Sequence, residues 1–192
     1  MKAVDISREM LSAPVYPGDP SPSLEALCRL EVGDVCNTSS LHACLHNGTH
    51  MDAPRHFVPD GTDAAHVPLD ACIGECSVVN FDGLLLGAQA EALLPGLRSR
   101  VLFKGKMELS PSAAFVLADS GLRLLGVEGQ SVAPAECTVA VHRQLLSSGM
   151  VLLEGLDLSG VEEGIYFLMA APLKIDGADG SPVRAILLER QT

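Results

Sequence analysis

The run His46-Asn47-Gly48-Thr49-His50-Met51-Asp52-Ala53-Pro54-Arg55-His56 gathers four side chains able to bind metal or move protons into eleven residues. Five of the six histidines lie between positions 42 and 66. A helix would put His46 and His50 on one face, but Asn47-Gly48 and Pro54 disfavour one here. An extended chain is expected instead. Residues two apart on a strand point the same way, so His46, His50, Asp52 and His56 share one parity and would face one cavity. Gly48 shares it too, and its missing Cβ would leave room between the two histidines. Two imidazoles and a carboxylate form a natural ligand set for Zn²⁺ or Mn²⁺. Burying such groups unpaired would cost about 1–3 kcal/mol each, which favours a metal site over chance enrichment. His42 has the same parity but lies further along, and His66 sits in the loop His66-Val67-Pro68-Leu69-Asp70. Both are read as ordinary.

Working outward, short β-rich runs recur at 4–6, 27–32, 77–81, 100–103, 122–127, 150–153, 165–170 and 183–188. Helical patterns separate some of them. One covers 88–94 and stops at Pro95-Gly96. A second starts at Ser110-Pro111, which supplies a hydroxyl cap and a proline at the first helical position, and ends near Gly121. A third spans about 135–148 and ends at Gly149. The first half is mostly strands and turns, and strands alternate with helices in the second. The expected fold is mixed α/β (α+β): one domain over 1–192, with a mixed sheet or barrel-like core flanked by helices.

With 192 residues, 47% of them hydrophobic and 19% charged, the chain has enough apolar material for a core and is not disordered. Its 13 Lys and Arg against 24 Asp and Glu give a formal charge of −11, with no basic cluster to offset it. Nucleic acid and anionic membranes are therefore poor partners, and a small molecule is expected. The first ten residues include Lys2, Asp5, Arg8 and Glu9 and lack a secretory pattern. The most apolar region, 83–97, is interrupted by Gln89, Glu91 and Pro95 and falls short of the roughly 20 residues a membrane helix needs. A cytoplasmic protein is expected. Its six cysteines should then be free thiols, with Cys72 and Cys76, separated by three residues, packing rather than binding metal. The glycosylation patterns at Asn47-Gly48-Thr49 and Asn37-Thr38-Ser39 would go unused.

The run His46-x-Gly48-Thr49-His50-x-Asp52-x-Pro54-x-His56-Phe57 resembles the signature of the metal-dependent cyclase family that includes bacterial kynurenine formamidases. The resemblance extends through Tyr16-Pro17-Gly18-Asp19, Val67-Pro68-Leu69-Asp70, Leu152-Leu153-Glu154-Gly155-Leu156, Pro172-Leu173-Lys174 and Ser181-Pro182-Val183-Arg184-Ala185. It implies the swivelling β/α domain of that family and a metal bound by His46, His50 and Asp52. It also implies that Asp52 bridges to a second metal held by His142 and Glu154. By themselves, His142 on its predicted helix and Glu154 at a strand end read as solvated surface residues. The resemblance further implies that His56 is the proton donor and acceptor. The metal would be Zn²⁺, with Mn²⁺ the alternative and one or two ions per subunit. A homo-oligomer, at least a dimer, is implied as well.

The implied reaction is hydrolysis of a small N-acyl or cyclic amide, with N-formylkynurenine the leading candidate. Tyr16 stands where the formamidases carry a tryptophan thought to line the substrate pocket, and this chain has no tryptophan. A smaller ring with a hydroxyl suits a different acyl group or a substrate of non-indole origin. Glu128 replaces an aspartate common in relatives and receives no role. A non-catalytic metal-dependent binder would need the ligands but not His56, so His56 favours the enzyme. A serine or cysteine hydrolase finds no Gly-x-Ser-x-Gly elbow and no Cys-His pattern.

Overall fold

The computed structural model describes residues 2–189. In chain order its strands are β1 (Lys2–Asp5), β2 (Ser23–Cys28), β3 (Thr38–His42), β4 (His50–Asp52), β5 (Ile73–Asn80), β6 (Gly83–Leu85), β7 (Arg100–Lys104), β8 (Met107–Leu109), β9 (Leu124–Val127), β10 (Val151–Glu154), β11 (Gly164–Met169), β12 (Gly180–Pro182) and β13 (Ile186–Glu189). The helices are α1 (Leu69–Cys72), α2 (Gly87–Leu93), α3 (Pro111–Ala118) and α4 (Thr138–Ser147). The fold is thus mixed α+β, as the alternation of patterns predicts.

Nine strands form one sheet in the order β1-β13-β11-β5-β7-β9-β10-β4-β12. The four central strands, β5, β7, β9 and β10, run parallel, joined by crossovers that carry α2, α3 and α4. Antiparallel strands extend the sheet on both sides. Its two faces bury separate cores. Val101, Phe103, Leu125 and Leu152 pack with Ala113, Leu117, Val141 and Leu145 of the helices. Met51, Leu124, Leu153 and Leu187 pack on the opposite face with Ile6, Val67, Ala71 and Ala185. The Ser110 hydroxyl accepts from the Ala113 amide at 3.2 Å, so α3 begins where the cap and proline predict. The described cysteines are all free, and burial pushes the Cys72 thiol up to about 11 and that of Cys76 to about 12, as befits packing residues.

Two expectations are corrected. The strand predicted over 27–32 lies earlier, at β2, and Leu30–Val32 is a 3₁₀ turn. The Asp34 carboxylate accepts from the Arg29 amide and the Asn37 side chain from that of Leu30, giving the backbone local partners in place of a ladder. The run 46–56 is not one extended strand either. Only His50–Asp52 is, while His46 lies in a turn, Gly48 has a left-handed φ of 67°, and Pro54–His56 forms a 3₁₀ turn. Asn-Gly favours the left-handed turn, and Pro54 at the first position of the 3₁₀ turn has no amide to donate. Gly48 also leaves no space at a metal. A Cβ there would meet Met10 Cα at 3.3 Å.

Gly155, just after β10, has a φ of 68°, and a Cβ on it would collide with the Gly48 carbonyl oxygen. Gly155→Ala is expected to lower stability by about 1–3 kcal/mol from backbone strain alone, before the collision is counted. Urea unfolding midpoints of the two proteins measure this.

Candidate metal centre

The short strand β4 organises the centre. His50 and Asp52, two residues apart on it, point to the same side, whereas Met51 points to the opposite core. β4 lies between β10 and β12, with Glu154 opposite His50 and Leu152 opposite Asp52. Glu154 therefore shares the helix-covered face with His50 and Asp52. His142, on the inner side of α4, reaches them from above. All four are buried, at 1–3% exposure.

Main-chain carbonyls fix two of the imidazoles. His50 Nδ1 lies 3.1 Å from the Gly48 carbonyl oxygen, and His142 Nδ1 lies 2.8 Å from that of Thr138. A carbonyl only accepts, so both Nδ1 atoms donate and both Nε2 atoms face inward. His50 Nε2 is 3.3 Å from Asp52 Oδ1 and 3.5 Å from Glu154 Oε2. His142 Nε2 is 3.2 Å from Glu154 Oε1 and 3.8 Å from Asp52 Oδ2. Asp52 Oδ2 is buried without a hydrogen-bond partner. An ionised oxygen left this way is costly, and a cation would satisfy it. Oriented imidazoles, converging carboxylates and that orphaned oxygen fit a divalent metal.

His46 comes from the preceding turn. Its Nδ1 lies 2.8 Å from Asp52 Oδ1 and its Nε2 3.0 Å from Asp179 Oδ2. The space its ring occupies depends on Gly180, where a Cβ would come within 2.6 Å of His46 Cε1. The glycine that makes room at the centre is thus Gly180, on the neighbouring strand, and not Gly48. His56 stacks on His46 with ring centres 4.0 Å apart, and Phe57 lies between the rings of His56 and His142 at 4.5 and 4.7 Å. Ligand atoms of His50, Asp52 and Glu154 converge on one position, and those of His46, Asp52 and His56 on another. The expected residues lie near one another but group differently from the expected partition: His50 converges with Glu154, and His56, expected to carry protons, converges with His46 and Asp52, while His142 approaches Glu154.

The remaining motif residues tie down the frame. Thr49 Oγ1 donates to the Gly155 carbonyl at 2.5 Å and accepts from the Arg8 amide at 2.8 Å. Asn47 Nδ2 donates to the Met10 carbonyl at 2.6 Å. Glu128 also acts on the backbone, accepting from the amides of Gly105 and Leu158. His66 bonds to Asp63 on the surface, and His42 is exposed on β3.

A cavity of about 380 Å³ opens onto the centre, within the range of small-molecule sites. Tyr16, Phe57, Gln130, Ser131 and Thr138 line it along with the histidines. Sequence reasoning missed Asp179. It lies just before the segment Ser181–Ala185 that carried part of the resemblance, but no spacing marked it out.

The charges are strongly coupled. Burial opposes protonation of His50, yet the Asp52 and Glu154 carboxylates outweigh it and push its pKa up to about 10. The same contest raises His46 through Asp52 and His142 through Glu154. Burial likewise opposes ionisation of Asp52, but His46 and His50 hold its carboxyl well below the ordinary range. His56 differs: burial dominates and lowers its pKa.

Comparison with known proteins identifies the family. The Cyclase family model, described as a putative cyclase, matches residues 4–96. A kynurenine formamidase of Erythrobacter litoralis (strain HTCC2594) is 39% identical over 201 residues, covering 96% of this chain and 93% of that protein. The chain belongs to the cyclase family. The solved structure of a "potential metal-dependent hydrolase with cyclase activity" matches it with a TM-score of 0.84 and 28% identity, covering 100% of this chain and 99% of that one. An isatin hydrolase bound to thioisatinate has the same fold, with a TM-score of 0.84, 19% identity, and coverage of 99% and 93%.

A histidine whose folded pKa is raised adds stability that is complete below its unfolded value of about 6.5 and is lost as pH rises through the folded value. For His50 that value is about 10. The metal-free protein should therefore lose melting temperature between about pH 6.5 and 10, and His50→Gln should flatten the profile. Asp52 acts in the opposite direction and only on acidification below its ordinary 3.8. Scanning calorimetry of chelator-treated protein across this range tests the slope.

Proposed function

We propose that this chain hydrolyses the C–N bond of a small N-acyl or cyclic amide at a divalent metal centre, with N-formylkynurenine the first substrate to try. The observation that carries the reading is the pair of buried imidazoles, His50 and His142. Each is locked on a main-chain carbonyl with Nε2 turned toward Asp52 and Glu154, next to a further histidine on the cavity wall. His46, His50, Asp52, His142 and Glu154 would hold the one or two divalent ions of the centre. Zn²⁺ is the first choice for this nitrogen and oxygen set and Mn²⁺ the second. When bound, such a cation lowers the pKa of water toward 7 and polarises a carbonyl oxygen.

The protein's own groups do the rest. Burial lowers the pKa of His56 and so favours its neutral form, which can accept a proton at the ring nitrogen not bonded to Asp179. The attacking water gives up that proton as the new C–O bond forms. The C–N bond then breaks, and His56 returns the proton to the departing nitrogen, which cannot leave as an anion. Tyr16 and Phe57 line the cavity and can pack against an aromatic amide. Beyond Tyr16 and Gln130 the cavity joins a shallower groove of about 780 Å³ that includes Arg8 and Lys106 and can take a polar tail.

The active form is a homo-oligomer. The hairpin β2–β3 forms its own two-stranded sheet, and its cross-strand pair Leu24 and Leu41 is more than half exposed. An isolated hairpin is marginal in water, and exposed apolar side chains on one favour a protein partner. The free cysteines agree with a reducing cytoplasm. Among the described residues no helix is long and apolar enough to cross a membrane.

His56→Ala should retain metal, by plasma mass spectrometry, while amide hydrolysis falls about 10²–10⁴-fold. His50→Ala should lose metal and activity together. Equal turnover by wild type and His56→Ala removes that histidine from the reaction. Light scattering at assay concentration should give at least twice the chain mass, and Leu24→Lys with Leu41→Lys should lower it. A monomer throughout contradicts the oligomer.

A further inference from the structure

We propose that Asp179 is the positioning residue for His56: its carboxylate fixes which ring nitrogen of His56 carries the proton and which one faces the substrate. This rests on the proton-transfer role given to His56 above.

Asp179 Oδ2 lies 3.3 Å from His56 Nδ1. An ionised carboxylate only accepts, so Nδ1 donates to it and the lone pair falls on Nε2. Among the described residues no other group makes this choice. Stacking on His46 and edge contact with Phe57 fix the plane of the His56 ring, but a half-turn about the Cβ–Cγ bond keeps that plane while exchanging Nδ1 with a carbon. The bond to Asp179 is the interaction that distinguishes the two orientations. Such a carboxylate–imidazole pair also favours the protonated ring that forms when His56 takes up a proton.

The backbone that carries this carboxylate is anchored. The Asp179 carbonyl accepts from the Ala53 amide at 3.0 Å, and the Ala178 carbonyl accepts from that of Ala64 at 2.9 Å. The next residue, Gly180, begins β12 opposite Asp52. Asp179 is thereby fixed to the strand that carries the centre and to the segment leading into the His56 turn. It lines the cavity, with its side chain 46% exposed.

The competing role for Asp179 is support of His46 as a ligand, since Oδ2 is also 3.0 Å from His46 Nε2. Asp179→Ala and Asp179→Asn, in Zn²⁺-loaded protein, separate the two. Nitrogen-15 NMR of the His56 ring should show the Nδ1-protonated tautomer in wild type and its loss in Asp179→Ala. Asp179→Asn, whose amide oxygen can still accept, should retain it in part. Zinc content should be unchanged. With N-formylkynurenine as the probe, kcat should fall at least about tenfold in Asp179→Ala with KM within twofold, Asp179→Asn lying between. Asp179→Ala should add no further loss in the His56→Ala background.

An unchanged His56 tautomer in Asp179→Ala overturns the proposal, and so does loss of zinc from either variant. If wild type hydrolyses no amide, the functional reading fails while the tautomer measurement still decides the role of Asp179.

Discussion

The centre depends on one buried carboxylate. Asp52 is almost wholly removed from water, with one oxygen close to His46 and His50 and the other without a hydrogen bond. An ionised group in that setting persists only if positive charge surrounds it, supplied here by protonated imidazoles or by metal. The raised pKa values of His46, His50 and His142 are the metal-free chain's way of meeting that demand. Metal binding would displace those protons, which links affinity to pH.

The sheet makes this crowding possible. A three-residue strand paired on both sides holds His50 and Asp52 with little freedom, and antiparallel pairing brings Glu154 directly across from His50. The centre lies on the face that the helices cover, so α4 can supply His142 from the helix-side core. Side chains on rigid strands and on a packed helix are held more exactly than loops would hold them. His46 and His56 come instead from turns, and Tyr16 and Asp179 from irregular segments around the cavity.

His56 stands apart from the other three imidazoles. In them the carboxylates outweigh burial and raise the pKa, whereas in His56 burial outweighs the carboxylates and lowers it. Neighbouring groups of one chemical type are pushed in opposite directions by their surroundings, a pattern expected where some bind and another transfers protons.

The sequence by itself determined the mixed α+β class and the cap that starts α3, and, through the motif and its wider resemblance, it named Glu154 and His142, which the fold places beside the motif. Those properties are local or are carried by motifs. Tertiary structure decided how the residues meet. The pleat aligns only His50 with Asp52, because Asn47-Gly48 and Pro54 bend the chain on either side, and His46 and His56 arrive through turns. It likewise decided that Gly180, from a strand more than a hundred residues away, makes room for His46, and that Asp179 lies against His56. Pairings of that kind arise when β12 adds beside β4, and no local spacing encodes which distant strand will be the neighbour.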